Sequence, residues 1–354
     1  MNPEPNQSPT AHRNESGDLP AIEERELPPG RHQFHKERLM NLIHEDRRTA
    51  ERPARRNPFL RKAILLPAAT ALAGALAVGV LVLAPGGSQA PDDRAAGPVL
   101  TTRIGTVDTQ GAPRLLDRIS LAAAEAGGSG RHTGSYVYIE SRVAGTHIRV
   151  ADGVSGLVGT PLHTRRSWRS PDGLKGWLTE PGNTGPEGIP LGGRDEQGNV
   201  VKPHLGAPSH DYLATLPTDP DALLSKIYTE TAGQGRDKDQ EAFTTIGDLL
   251  GESWPSPKLT AALYRAAAKI PGVVTVDSAT DAAGRKGVAV ARLDAPTGQR
   301  TEWIFDETTL AFLGERTVQV SEGHGDDRLL KPGTVVYTQA VMVRAFVDGI
   351  KVTP

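Results

Sequence analysis

Hydrophobic and polar positions change their period several times along the chain, and each change marks an element. From Ala63 to Ala84 there is no charged residue, an unbroken apolar run of 22 positions. At roughly 1.5 Å per helical residue such a run crosses the ~30 Å hydrocarbon layer of a bilayer. After Arg114 the pattern becomes amphipathic. RLLDRISLAAAEA (Arg114–Ala126) places Leu115, Leu116, Ile119 and Ala123 on one helical face. YVYIESRVAG (Tyr136–Gly145) alternates Val137, Ile139 and Ser141 against Tyr136, Tyr138 and Glu140, the period of a strand, and THIRVAD (Thr146–Asp152) reads as its hairpin partner. HTRRSWRSPDG and LKGWLTEPG read as a second hairpin turning at Pro171-Asp172-Gly173. Residues 181–208 lack periodicity and read as a loop.

A helical block follows: a short helix at Asp211–Leu216, one through Glu230 with Asp219 as N-cap and Pro220 at its first position, then Asp239–Leu250 and Ser256–Lys269. The last third returns to strand-like runs at Val273–Ala279, Gly287–Asp294, Arg300–Glu307, Ala311–Ser321 and Val335–Gly349, separated by Gly- and Pro-containing turns. The order helix, strands, helices, strands has no βαβ alternation. It predicts an α+β fold, an antiparallel curved sheet with a helical insertion, preceded by a single transmembrane helix.

Flanking charge orients the apolar run. Arg52, Arg55, Arg56, Arg61 and Lys62 precede it, and Asp92, Asp93 and Arg94 follow. The positive-inside rule then places the N-terminus in the cytoplasm and the later residues outside. The rival reading, a cleaved signal peptide, needs a short leading region and an apolar core of about 7–15 residues. Here about 60 residues lead in, and Pro91 follows the Ser88-Gln89-Ala90 that would serve as a cleavage site. The expected organisation is therefore a disordered cytoplasmic tail (1–30), a cytoplasmic amphipathic helix with a basic juxtamembrane segment (31–62), the membrane span (63–84), a linker (85–113) and an extracytoplasmic domain (114–354).

The cytoplasmic helix carries Phe34, Leu39, Leu42 and Ile43 as an apolar stripe. Three readings stand open: it lies on the membrane surface, enters a groove on a partner, or forms a solvated linker. His32 and His35 lie at i, i+3 spacing, with no third metal ligand evident.

Composition narrows the chemistry. The chain of 354 residues has a formal net charge of −2, unlike a dedicated nucleic-acid binder. It has no cysteine, so disulfides, thiolate metal sites and a cysteine nucleophile are excluded. No nucleophile elbow, HExxH, phosphate loop or EF-hand loop is present, and no cofactor motif, so the chain reads as non-catalytic. Three clusters stand out. Arg165, Arg166, Trp168 and Arg169 form a basic, aromatic strand suited to an anionic lipid or glycan, against the plainer reading of a solvent-facing strand with one core indole. Glu302, Asp306 and Glu307 flank Trp303 and Phe305, paired carboxylates of the kind glycosidases use; alternation points the rings inward and Glu302 outward, which reads instead as an edge charge. His204 and His210 flank Asp211 near the loop.

SYVYIESRVAG, YLATLPTDPDALL, DQEAFTTIGDLL, AALYRAAAKIPGV, GRKGVAVAR and EWIFDETTLAFLGER, in this order, resemble a family of actinobacterial single-pass membrane proteins commonly encoded beside extracytoplasmic-function sigma factors. The resemblance spans roughly residues 30–350, with the LPPGRHQFHKERLM arm. It implies a cell-envelope sensor or accessory role, with a sigma factor as partner of the arm. It implies no catalytic residues. The common zinc-binding anti-sigma type requires cysteines that this chain lacks. WIFDETTLAFLGER also resembles a hairpin of lipoprotein-carrier-like folds, which implies a lipid or other apolar ligand held by the sheet.

Overall fold

The computed structural model describes residues 97–126, 134–151, 154–192, 200–235 and 237–354. Residues 1–62, with His32, His35, Phe34, Leu39, Leu42 and Ile43, and the 63–84 run lie outside these residues. Among the described residues no helix is long and apolar enough to cross a membrane.

Among the described residues ten strands form one open antiparallel sheet. In chain order they are β1 (Val107–Asp108), β2 (Tyr136–Ala151), β3 (Val154–Arg169), β4 (Gly176–Thr179), β5 (Ile189–Pro190), β6 (Val273–Thr280), β7 (Lys286–Asp294), β8 (Gln299–Phe305), β9 (Phe312–Gln319) and β10 (Val335–Val347). Their spatial order is β1-β6-β7-β8-β9-β10-β2-β3-β4-β5. The helices are α1 (Ala112–Glu125), α2 (His210–Thr215), α3 (Pro220–Glu230), α4 (Lys238–Glu252) and α5 (Pro257–Ala267). The fold is α+β, with α2 to α5 inserted between β5 and β6. The seam between the two halves of the sheet is the β10–β2 pairing, which runs from Tyr337 opposite Gly145 to Val347 opposite Tyr136.

Helix boundaries follow local chemistry. Asp219 accepts the Ala222 N–H at 2.9 Å with Pro220 leading α3, and Ser256 accepts the Leu259 N–H at 3.3 Å ahead of Pro257. Each cap satisfies a backbone donor that the helix leaves unpaired. Residues 136–152 differ from expectation: Tyr136–Ala151 is a single strand, and its partner is the whole of β3. Gly145, which reads as a turn residue, lies mid-strand, where a Cβ would sit 2.7 Å from the Val336 carbonyl oxygen. The pairing with β3 continues past Gly145 to Ala151 opposite Val154.

The main core lies between the helices and one sheet face. Leu116 and Ile119 of α1, Leu223 and Ile227 of α3, and Phe243, Ile246 and Leu249 of α4 pack with Val290, Trp303 and Phe305. Two glycines bring α4 close to the sheet. A Cβ at Gly247 would stand 2.5 Å from Trp303 Nε1, and one at Gly251 would stand 2.8 Å from Gln339 Oε1. Glycine inside a helix costs about 1 kcal/mol relative to alanine; here it permits an approach that any side chain would block.

The other sheet face carries a smaller cluster of Val276, Ala289, Ala291, Ile304 and Leu313. Beside it lies Glu302, held between Arg300 (Nε to Oε1, 2.8 Å) and Arg316 (Nε to Oε2, 2.7 Å). Alternation does turn Glu302 away from Trp303, but its exposure is 0%. A strap accounts for this burial. Gly97 N–H donates to the Gly159 carbonyl, the Leu100 carbonyl accepts from Val335 N–H, and Thr102 N–H donates to the Gly333 carbonyl. Arg316 Nη1 donates to Thr102 Oγ1 at 3.1 Å, Arg300 Nη2 reaches the Gly105 carbonyl at 3.4 Å, and Thr106 N–H donates to Asp277 Oδ1 at 2.9 Å. The folded region thus begins by Gly97, within the segment that reads as linker, and α1 starts at Ala112. A polar, aperiodic stretch gives no pattern signal when backbone hydrogen bonds hold it in place.

Candidate functional site

The pleat of β3 splits the arginine–tryptophan quartet between the two sheet faces. Trp168 and Arg166 point away from the helices. Trp168 is 2% exposed, its ring 5.3 Å from that of Tyr138, and its Nε1–H donates to the Val352 carbonyl at 2.6 Å. It is the centre of a satellite core with Tyr138 and Val347, so its face is not open for stacking on a ligand. Arg166 pairs with Glu140 at 2.7 Å, and Glu140 also accepts from the Tyr138 hydroxyl at 2.6 Å. Burial first, then that hydrogen bond to a carboxylate, push the Tyr138 phenol up to about 12.

Arg165 and Arg169 face the helices and line a cavity of about 150 Å³. The cavity sits between the root of the β2–β3 hairpin, the start of β10, the end of α4 and the 205–208 loop. Its polar walls include His163, Glu180, Glu252 and Tyr337; Val143, Val336 and Pro208 supply apolar surface. Three elements distant in sequence meet at Arg165. Its guanidinium pairs with Glu180 (Nε to Oε2, 3.2 Å) and with Glu252 at the last turn of α4. A carboxylate at a helix C-terminus opposes the helix dipole. Arg165 compensates, as does Gln339, whose amide donates to Glu252 at 3.2 Å and to Ser141 at 3.1 Å. Arg344 donates to the Leu250 carbonyl, one of the acceptors that the end of α4 leaves open.

Electrostatics follow from these contacts. Burial raises the Glu180 carboxyl, but the His163 hydrogen bond, the Arg165 charge and the Asn183 amide outweigh it and hold Glu180 below its ordinary range. Burial lowers His163, yet the Glu180 carboxylate at 3.1 Å from Nε2 and the Pro161 carbonyl at 2.8 Å from Nδ1 outweigh it and raise the imidazole. Both ring nitrogens face acceptors, which suits the doubly protonated ring. An imidazolium so engaged has no lone pair for abstracting a proton, so the position serves binding better than base catalysis. Burial, then the Glu252 and Glu315 carboxylates, raise the Tyr337 phenol well above its usual value, so it remains a neutral donor.

These shifts set a pH dependence. The raised His163 contributes stability in full below its unfolded pKa of about 6.5, and the contribution is lost as pH rises through its folded value. The depressed Glu180 contributes above about 4.3 and is lost as pH falls through its folded value. The stability difference between the native protein and His163→Gln should therefore be greatest near pH ~5–6, at about 1.5–3 kcal/mol. It should shrink as pH rises further. Thermal unfolding of both proteins across pH ~5–9 checks this.

The remaining candidates do not converge. His204 accepts the Gly206 N–H at 3.2 Å within its own loop, while the His210 ring packs edge-on against Phe346. Among the described residues no three His, Asp or Glu side chains are grouped to hold a metal ion. Asp306 caps the β8–β9 turn, accepting from Thr308 N–H at 3.0 Å and Thr309 N–H at 2.7 Å. Of the cavity residues missed in the sequence, His163 carried a signal, since it lies two positions from Arg165 on the same strand face. Glu180, Glu252 and Tyr337 carried none, because tertiary pairing alone brings them to Arg165.

Comparisons of the chain with protein-family models and with curated proteins find no match.

Proposed function

We propose that this chain is a membrane-anchored sensor or accessory protein of the cell envelope. In this reading the 63–84 run spans the membrane, residues 1–62 lie in the cytoplasm, and the sheet domain lies outside. The Arg165 cavity is the ligand site, and the observation that carries the reading is its position. It opens where Arg165 and Gln339 fasten the end of α4 to the sheet. A solute that competes for Glu252 or Arg165 alters that junction directly, which is what a sensor needs. The resemblance to proteins encoded beside sigma factors supplies the cytoplasmic partner, met by the stripe of Phe34, Leu39, Leu42 and Ile43.

The walls favour a small polar ligand with both acidic and basic groups. Carboxylates and cations both line the cavity, and Tyr337 adds a neutral donor. The second reading, an envelope lipid carrier, rests on the WIFDETTLAFLGER hairpin. A cavity of about 150 Å³ is below the range of about 300–1,000 Å³ typical of pockets for larger ligands. This size favours the small solute over an acyl chain.

The test is thermal unfolding of the full chain in lipid nanodiscs, titrated with glycine, glutamate and lysine as probes. A ligand at 100 times its Kd adds about 2.7 kcal/mol, and Arg165→Lys, which keeps the charge but loses the fork, should weaken the response. No shift with any probe, together with lipid retained on the solubilised chain in native mass spectrometry, would favour the carrier.

A further inference from the structure

The seam between β10 and β2 ends at Tyr337 opposite Gly145. Beyond that point β2 pairs with β3, from Thr146 opposite Gly159 to Ala151 opposite Val154. The start of β10 keeps β9 on one edge, with Val335 opposite Val318. Its other edge turns to the strap. Val335 N–H donates to the Leu100 carbonyl at 2.8 Å, Thr102 N–H donates to the Gly333 carbonyl at 2.8 Å, and Thr101 bridges Thr334 in antiparallel register. The strap thus takes the edge of β10 that β2 leaves.

The same strap is fastened to the β2–β3 hairpin. Leu100 N–H donates to Thr146 Oγ1 at 3.1 Å, and Gly97 N–H donates to the Gly159 carbonyl at 2.9 Å. Gly159 is bare where the strap passes: a Cβ there would stand 2.1 Å from the Pro98 carbonyl oxygen. Residues 97–102 therefore tie β3, β2 and β10 together just beyond the point where direct pairing of β10 with β2 stops. The Arg165 cavity lies at this same parting, with Gly145, Thr146, Thr160, Val336 and Tyr337 in its wall. A second contact leads to the cavity. A Cβ at Gly97 would stand 3.0 Å from the Pro161 ring, and the Pro161 carbonyl lies 2.8 Å from His163 Nδ1.

We propose that residues 97–102 form a releasable clasp whose seating is coupled to occupancy of the Arg165 cavity. The proposal rests on the reading of that cavity as a ligand site and supplies its output. The two states are clasp seated and clasp released. A segment held by a few hydrogen bonds opens at far lower cost than the strands beneath it. A solute bridging Arg165 of β3 and Tyr337 of β10 ties together the same elements that the clasp ties. Each then favours the other, and the coupling is reciprocal. Only residues 85–96 stand between the apolar run and Gly97. In the membrane-anchored reading the clasp is therefore the first part of the folded region to meet the anchor, and its release is passed along the chain directly.

Gly159→Ala unseats the clasp from outside the cavity wall. The three atoms nearest the added methyl all belong to Gly97 and Pro98, and Gly159 does not occupy the left-handed region, so β3 itself accepts alanine. Thr146→Val, which keeps the shape and removes the acceptor, is the milder second variant. Hydrogen exchange of the full chain in lipid nanodiscs, with and without glycine, glutamate or lysine, reads the clasp. Titration of the His163 imidazole by NMR reads the cavity. In both variants the Leu100 amide should exchange about tenfold faster, the scale of one or two lost hydrogen bonds. Thr106, held by Asp277 at the far end of the strap, should follow global stability alone. In Gly159→Ala the His163 imidazole should titrate lower, towards about 6.5, as Pro161 is freed. A probe that binds the native protein should slow exchange at Leu100 and bind Gly159→Ala more weakly. Unchanged exchange at Leu100 in both variants overturns the clasp. Faster exchange with an unchanged His163 titration and equal probe affinity overturns the coupling and keeps the ligand site. If no probe acts on either protein, the ligand reading fails by itself, and the exchange and titration of the variants still decide the clasp.

Discussion

Glu302→Gln should destabilise the folded region by about 3–5 kcal/mol, the usual cost of removing one partner from a buried ion pair. Glu302 is the carboxylate between Arg300 and Arg316, whose side chains are themselves only 5% and 3% exposed. The amide preserves shape but removes the charge, leaving two guanidiniums facing each other without water. Arg316 already has one buried nitrogen, Nη2, without a hydrogen-bond partner. The strap should loosen as well, because the same guanidiniums hold Thr102 and the Gly105 carbonyl. At about 2–4 °C per kcal/mol for a domain of this size, thermal unfolding should fall by roughly 10 °C. Amide exchange at Thr102 and Thr106 should accelerate beyond what global stability accounts for. Replacing Arg300, Glu302 and Arg316 together with apolar residues should recover much of the loss, since a well-packed apolar set avoids the desolvation that the triad pays. A triple variant no more stable than Glu302→Gln would show that the strap, not the charge balance, sets the cost.

Trp303→Ala is the second large expected effect, again about 3–5 kcal/mol. Trp303 has no exposure and stacks face to face on Phe243, with centroids 3.9 Å apart and planes 1° from parallel. It is the point where α4 meets the middle of the sheet, and Gly247 is small so that the indole fits. Truncation leaves a void bounded by a helix backbone and β8, neither of which collapses easily. Trp303→Phe should cost much less. It keeps most of the stacking and removes Nε1, a buried donor without a hydrogen-bond partner. Burying such a donor costs about 1–3 kcal/mol, so its removal offsets part of the lost packing. Urea unfolding midpoints of the two variants check the ordering. A Phe variant as unstable as the Ala variant would mean that Nε1 has a partner.

Local signals and long-range pairing divided the work unevenly. Asp219-Pro220 marked a helix start because capping involves neighbours only, and the structure places it where local chemistry puts it; the amphipathic run from Ser256 proves to start on a cap as well. Period-two alternation marked β6 to β10, since each has one face against the helices. Alternation also indicated which way Trp303 and Phe305 point. It did not show the fate of Glu302, because a strand pattern reports direction and not what covers the face. The reading of Arg165, Arg166, Trp168 and Arg169 as one cluster met the same limit: adjacency along a strand means separation across the sheet.

The sequence by itself determined the α+β class, the helices and the strands of the last third, since period, caps and turns act within a few residues. Tertiary structure alone decided the β10–β2 seam, the strap over Glu302 and the meeting of Arg165 with Glu180 and Glu252. Those depend on which distant segments pair, and the free energy that selects the pairing is spread over the whole buried interface.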